Sequence, residues 1–173
     1  MPDVTARNSM RSNRLYIIGM ITVALTLVAC NGKTIYSHYE PTPIEGWERS
    51  DTLVYSNIVI KATADYKEEI GLRINDAFPF RSLFLVVEQH VRHNGQWSVV
   101  NGQQPIVKTD TLSCRLIDKN GNVKGRGLSY YQYNFHLTTL RLNAGDTLDI
   151  RIRHHMKREI LPGIANVGMT LSK

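Results

Sequence analysis

The chain of 173 residues carries two thiols, Cys30 and Cys114, and six histidines. With the carboxylates, these are the side chains that could do chemistry. His90 and His93 are three apart, and His154 and His155 are adjacent. Zinc needs three or four ligands converging on one point. Neighbours on a strand point to opposite faces, so His154 and His155 cannot share an ion. The spacing predicts histidines at the surface or at a sheet edge, and no metal site. Cys114 alternates with Leu112 and Leu116, which makes it a small core residue and not a nucleophile. Glu68-Glu69 and Asp146/Asp149 have turn or strand-edge explanations. No GxSxG, HExxH, P-loop or SxxK pattern is present. Neither catalysis nor a cofactor is expected.

Cys30 stands in a different setting. Arg7, Arg11 and Arg14 precede an apolar run from Leu15 to Ala29. That is a positive n-region followed by the h-region of a secretory signal. The run is shorter than the ~20 residues a spanning helix needs. It ends in Leu27-Val28-Ala29-Cys30, which resembles the bacterial lipobox. There the cysteine thiol takes a diacylglycerol and the signal is cut before it. The small Ala29 gives a peptidase access to the bond. Residues 1–29 are therefore expected as a lipoprotein signal peptide and Cys30 as the lipidated residue. Each buried methylene of the acyl chains adds about 0.8 kcal/mol of membrane affinity. Met10, just ahead of Arg11, would serve as an alternative start.

The whole chain has a net charge of +6. Past Cys30 there are 18 Lys and Arg against 14 Asp and Glu, a net +4. That is mild, and no nucleic-acid partner is expected. Cys114 alone cannot form an internal disulfide, so the domain relies on packing.

Arg151, Arg153, Lys157 and Arg158 form the densest basic cluster. It reads either as a solvated strand face that protects a sheet edge or as a docking surface for a partner or lipid head groups. Trp47, Trp97, Tyr130 and Tyr131 would either line a sugar- or peptide-binding groove or cap the core. Trp97, between the turns Asn94-Gly95 and Asn101-Gly102, is the aromatic expected to be exposed.

The elements that position these groups read as strands. Residues 30–46, with Pro41, Pro43 and Gly46, read as a lipidated tether, and packing begins at Trp47. Leu53 to Lys61 is rich in β-branched residues. Ile70, Leu72 and Ile74 alternate with polar residues. Leu83 to Val87 is apolar on both faces and reads as a central strand. Leu112 to Leu116, Tyr131 to Leu137, Leu148 to His154 and Val167 to Leu171 alternate with period two. Asp118 to Asn122, Asn143 to Asp146 and Pro162-Gly163 read as turns. Lys157 to Leu161 is the nearest helix candidate and is too short to matter. Residues 47–173 are thus predicted to form an all-β antiparallel sandwich of about seven or eight strands, jelly-roll or immunoglobulin-like.

The run from His155 to Gly168, with Met156-Lys157, Leu161-Pro162-Gly163-Ile164 and Val167-Gly168, resembles the closing motif of the gliding motility lipoprotein family GldH. Phe78-Pro79-Phe80-Arg81-Ser82-Leu83 is similar to the family's aromatic-Pro-aromatic segment. Asp110-Thr111 with Leu116-Ile117-Asp118 is similar to its middle strand. Gly121, Gly125 and Gly127 are similar to its glycine-spaced turn. The similarity runs from Trp47 to Leu171. Lys157, Val123 and Ser82 depart from the family pattern of Arg, Trp and Asn, which marks a divergent member. The resemblance implies a non-catalytic accessory lipoprotein of gliding and type IX secretion machinery, with other envelope proteins as partners. Asn31-Gly32-Lys33-Thr34 lacks an acidic surface-export run, which favours the periplasmic face of the outer membrane. The residues alone leave a second reading open, a glycan- or peptide-binding lipoprotein of nutrient uptake.

Overall fold

Leu148, Ile150, Ile152 and His154 lie on one strand and are all buried. The computed structural model, which describes residues 34–93, 96–97 and 106–173, is built from such strands. In chain order they are β1 (Thr34–Pro41), β2 (Trp47–Glu48), β3 (Leu53–Val59), β4 (Ala64–Ile74), β5 (Ser82–His93), β6 (Gln96–Trp97), β7 (Ile106–Arg115), β8 (Tyr131–Leu142), β9 (Asp146–His154), β10 (Ile160–Leu161) and β11 (Ile164–Ser172). The signal segment, Cys30 and the turns at 94–95 and 101–102 lie outside the described residues.

Eight of these strands are long, and all the pairings described are antiparallel. One sheet has the order β1-β11-β4-β8. The other has β3-β9-β5-β7, with β6 continuing the line of β7 along β5. Renumbered over the long strands alone, the orders are 1-8-3-6 and 2-7-4-5, the double-sheet jelly roll. An immunoglobulin sandwich keeps its first two strands in one sheet. Here β1 and β3 lie in different sheets, so the open choice between the two sandwiches falls to the jelly roll.

The inner faces supply the core. Tyr66, Ile70, Leu72, Val167, Met169 and Leu171 come from one sheet, and Leu83, Leu85, Val87, Cys114, Leu148, Ile150 and Ile152 from the other. Tyr55 on β3 crosses between them, its hydroxyl donating to the carbonyl of Val167 at 2.7 Å.

Three local readings are corrected. Thr34–Pro41, expected within the tether, is strand β1, paired with β11 from Thr34↔Ser172 to Pro41↔Asn166. It is an edge strand open to water on both faces, so its sequence has no period. The short helix candidate 157–161 ends instead in β10, which pairs Leu161 with Trp47 and Ile160 with Glu48. His154 is buried and not at the surface, because it sits at the last inward position of β9.

Register also fixes the two ends of the sandwich. Thr34, Ser172, Lys67 and Thr139 stand side by side near one end, which also carries the Asn143–Asp146 turn. At the other end lie Pro41, Ile164, Ile74 and Tyr131. The connections 42–46, 75–81, 116–130 and 155–159 therefore gather at the end away from Thr34.

Candidate docking surfaces

Strand alternation puts Arg151 and Arg153 on the outward face of β9. Val54 flanks Arg151 on β3 and Glu88 flanks it on β5. With Thr52 these residues line a hollow of about 190 Å³. Arg153 Nη2 lies 3.5 Å from Glu88 Oε1. Lys157 and Arg158 are exposed in the connection after β9, beyond the sheet. Trp97 pairs with Arg92, whereas Arg153 pairs with Val86. Six residues of β5 separate those positions, about 20 Å. The structure thus joins Arg151 to Arg153 but leaves Trp97 towards the opposite end of the sheet from Arg153. Only the backbone of Trp97 is described.

A second basic surface was not singled out from sequence. A groove of about 470 Å³ is lined by Arg115, Lys124, Arg126, Gln132, Tyr133, Asn134 and Phe135. It follows the sandwich edge where β7, the connection 116–130 and β8 meet. Arg115, Lys119, Lys124 and Arg126 face Asp118 alone as the acid of that segment, a net +3. The Asp118 carboxylate is already engaged by the amides of Asn120 and Asn122 and by the Asn122 side chain. Those bonds, led by the Asn122 side chain, hold its carboxyl below the usual range. Among the described residues no ion pair joins Arg115, Lys119, Lys124 or Arg126 to an acid. The signal was scattered over the connection and the ends of two strands, so no run of charge revealed it.

Glycine shapes this groove. A Cβ on Gly125 would stand 2.6 Å from the Tyr133 ring, so only glycine lets the connection lie flat on β8. Arg126 and Gln132 then exchange two backbone hydrogen bonds of 3.1 and 2.8 Å.

The interior holds a polar cluster at the same edge, nearer to Thr34. Lys108 Nζ lies 2.8 Å from Thr138 Oγ1 and 3.2 Å from Asp110 Oδ2. The Gln89 side-chain amide donates to Asp110 at 2.8 Å. Glu68, fully buried, has no hydrogen-bond partner for either carboxyl oxygen among the described residues. Burial pushes its carboxyl up to about 8. A cavity of about 230 Å³ adjoins, walled by Val91, Leu140 and Leu142 and bordered by Gln89, Lys108 and Asp146.

Cys114 and His154 lie in the core. Burial pushes the Cys114 thiol up to about 12, as a core cysteine should be. His154 packs edge-on to Trp47 at 5.3 Å, and its Nε2 lies 3.2 Å from the Trp47 carbonyl. Trp47 itself is buried, so it caps the core and lines no groove. Tyr130 is exposed and Tyr131 half-buried. No group of three metal-ligating side chains converges among the described residues. Nor is any described helix long and apolar enough to cross a membrane.

A profile of the GldH lipoprotein family matches residues 34–171. The chain belongs to the GldH lipoprotein family. The gliding motility lipoprotein GldH of Flavobacterium johnsoniae is 21% identical over 169 residues, covering 89% of this chain and 94% of that protein. Among solved structures, a family 35 carbohydrate binding module from Clostridium thermocellum is similar, with a TM-score of 0.34 and 14% identity. It covers 79% of this chain and 87% of that one. A family 35 module from an environmental isolate gives a TM-score of 0.34 and 15% identity, covering 84% and 90%.

The segments that carry the GldH resemblance do structural work in this fold. Phe78 and Phe80 pack edge-on at 5.6 Å against the core just before β5. Pro162-Gly163 turns the chain into β11, where a Cβ on Gly163 would meet the Phe78 amide at 2.3 Å. Gly125 lets the connection 116–130 lie close against Tyr133, which lines the basic groove. As a GldH-family lipoprotein, the chain is assigned to the lipid-anchored proteins of the cell envelope.

Proposed function

We propose that this chain is a non-catalytic accessory lipoprotein of gliding motility and of the type IX secretion apparatus associated with it. It is held by acylated Cys30 at the periplasmic face of the outer membrane and works by docking envelope proteins. The family match over residues 34–171 is the observation that carries the reading. Two further observations support it. The candidate nucleophile Cys114 is sealed in the core, and the groove of about 470 Å³ is lined by cations, amides and aromatics without an acid–base pair. Three residues separate Cys30 from Thr34, so the four Cα steps between them reach at most about 14 Å. Acylation at Cys30 therefore keeps the Thr34 end beside the membrane, and the connections at the other end are the ones offered to partners.

The test is a cross-linked pull-down of the lipidated protein from membranes, with Cys30→Ala as control, beside a gene deletion. Motor or secretion proteins should co-purify and be lost with Cys30→Ala, and deletion should stop surface movement or cargo secretion. A deletion strain that moves and secretes normally overturns the reading.

A further inference from the structure

Among the described residues the long strand β8 is the outer strand of its sheet, with no strand beside one side of its backbone. An unpaired strand edge is a template for another chain. Natural sandwiches block such edges, and half of β8 is blocked. The register with β4 slips between Glu68↔Thr138 and Glu69↔His136, a bulge that leaves Leu137 unpaired. Next to it Lys108 ties Thr138 to the other sheet. Bulge and lysine together close the far part of the edge to a further strand.

The first part of β8 is built differently. Arg126 pairs with Gln132 through both backbone bonds, so Gln132 turns its N–H and carbonyl away from β4. Strand alternation turns the N–H and carbonyl of Asn134 and His136 the same way. These groups continue the line of the Arg126 bridge into the groove of Arg115, Lys124 and Arg126. Side chains from both faces of β8 reach this groove, Tyr133 and Phe135 from the inner face and Gln132 and Asn134 from the outer. The Tyr133 and Phe135 rings stack at 6.2 Å with 9° between their planes. A slot that exposes a strand edge, flanked by aromatics and by cations without acidic partners, fits one kind of occupant.

We propose that the β8 edge at Asn134–His136 binds a short extended acidic segment of a partner protein. The segment adds as a strand beside β8 and sets its carboxylates against Arg115, Lys124 and Arg126. Main-chain hydrogen bonds give the affinity in such strand addition, and the flanking side chains give the specificity. About four residues of β8, some 13 Å, are available between the Arg126 bridge and the bulge. The proposal rests on the accessory reading only in taking the occupant to be a protein.

The experiment uses the acylated mature protein in non-ionic detergent. The probe is a seven-residue blocked peptide alternating Glu with Val and Thr, and its control replaces every Glu by Gln. Amide hydrogen exchange over residues 131–138 should slow at least five-fold with the Glu peptide and stay unchanged with the Gln peptide. Raising salt from 50 to 500 mM should reverse the protection. Arg115→Glu with Arg126→Glu should weaken binding at least ten-fold. Asn134→Pro removes one edge N–H, keeps every charge, and should abolish protection; its circular dichroism reports whether it still folds. No protection at saturating Glu peptide overturns the proposal, as does equal protection by the Gln peptide. Undiminished binding by a folded Asn134→Pro overturns it in favour of plain charge attraction. Anionic phosphatidylglycerol vesicles that bind through Arg115 and Arg126 while the peptide does not would assign the cations to lipid head groups instead. A failed peptide test beside a positive membrane pull-down removes this edge as the docking site and leaves the accessory role intact.

Discussion

The side-chain amide of Gln132 donates to the hydroxyl of Tyr39 at 2.7 Å, although the two residues lie on opposite edge strands of one sheet. Three strand spacings, about 14 Å, separate β1 from β8. The contact exists because Tyr39, Gly168, Gly71 and Asn134 are in register across the four strands. The Tyr39 ring lies flat over the two glycines in the middle. Arg73 covers the ring, its guanidinium carbon 4.5 Å from the centroid, and donates to Gln132 Oε1 at 3.1 Å. A strand as polar as β1 is thereby locked to the sheet by one side chain as well as by its backbone.

Gly168→Ala tests this lock. Its Cβ would stand 2.5 Å from the Tyr39 ring, which must then lift away from Gln132. The expected loss is about 1–2 kcal/mol in urea unfolding, against about 1 kcal/mol for Tyr39→Phe. In a Tyr39→Ala background Gly168→Ala should cost little. An equal cost in both backgrounds would show that the ring is not the obstacle.

Glu68 predicts a pH dependence. Its folded carboxyl, held up at about 8 by burial, keeps a proton that the unfolded chain releases near its ordinary value of 4.5. Stability from this group is therefore present at low pH and is lost as pH rises through that window. Glu68→Gln should raise the urea midpoint more at pH 8.5 than at pH 5. Equal effects at both pH values would remove Glu68 as the source.

His154 acts in the opposite sense. Burial beside Trp47 holds its imidazole below the ordinary value of 6.5. As pH falls through 6.5 the unfolded chain takes up the proton first, so the folded state loses stability. His154→Gln should flatten that acid-side decline while lowering stability at pH 7.5. An unchanged slope between pH 6.5 and 5 would contradict it.

Thiol counting checks both cysteines. Cys114 is buried and held at about 12 by burial, so iodoacetamide should not label the native protein within minutes at pH 8. In 8 M urea, protein isolated from membranes should take one label, because acylated Cys30 offers no thiol. Native labelling would contradict the burial of Cys114, and two labels in urea would show that Cys30 is bare.

The long strands from β3 onward were legible, at least in part, because their inward residues are apolar at period two, whereas the two-residue strands β6 and β10 are too short to show a period. The pattern failed where a polar residue faces inward. Glu68 interrupts the inward row of β4 between Tyr66 and Ile70, and only Ile70 to Ile74 was readable as strand. Gln89 does the same in β5, which runs on to His93. Strand β1 gave no signal because both its faces meet water. His154 fell on the inward row of β9 in the sequence, yet its type suggested the surface. The Arg151–Arg153 face could be read from one strand alone. The β8 groove could not, since it needs Arg115 and Arg126 brought to one edge by the fold.

The first described strand pairs with the last. A pull on the chain upstream of Thr34, against a load held at the far connections, runs along the axis of β1. It slides β1 past β11 and loads their row of hydrogen bonds all together, where a sideways pull would open them one by one. The jelly roll therefore places a shear clamp at the point where the chain enters the domain, and mechanical strength there depends on the β1–β11 register from Thr34 to Pro41.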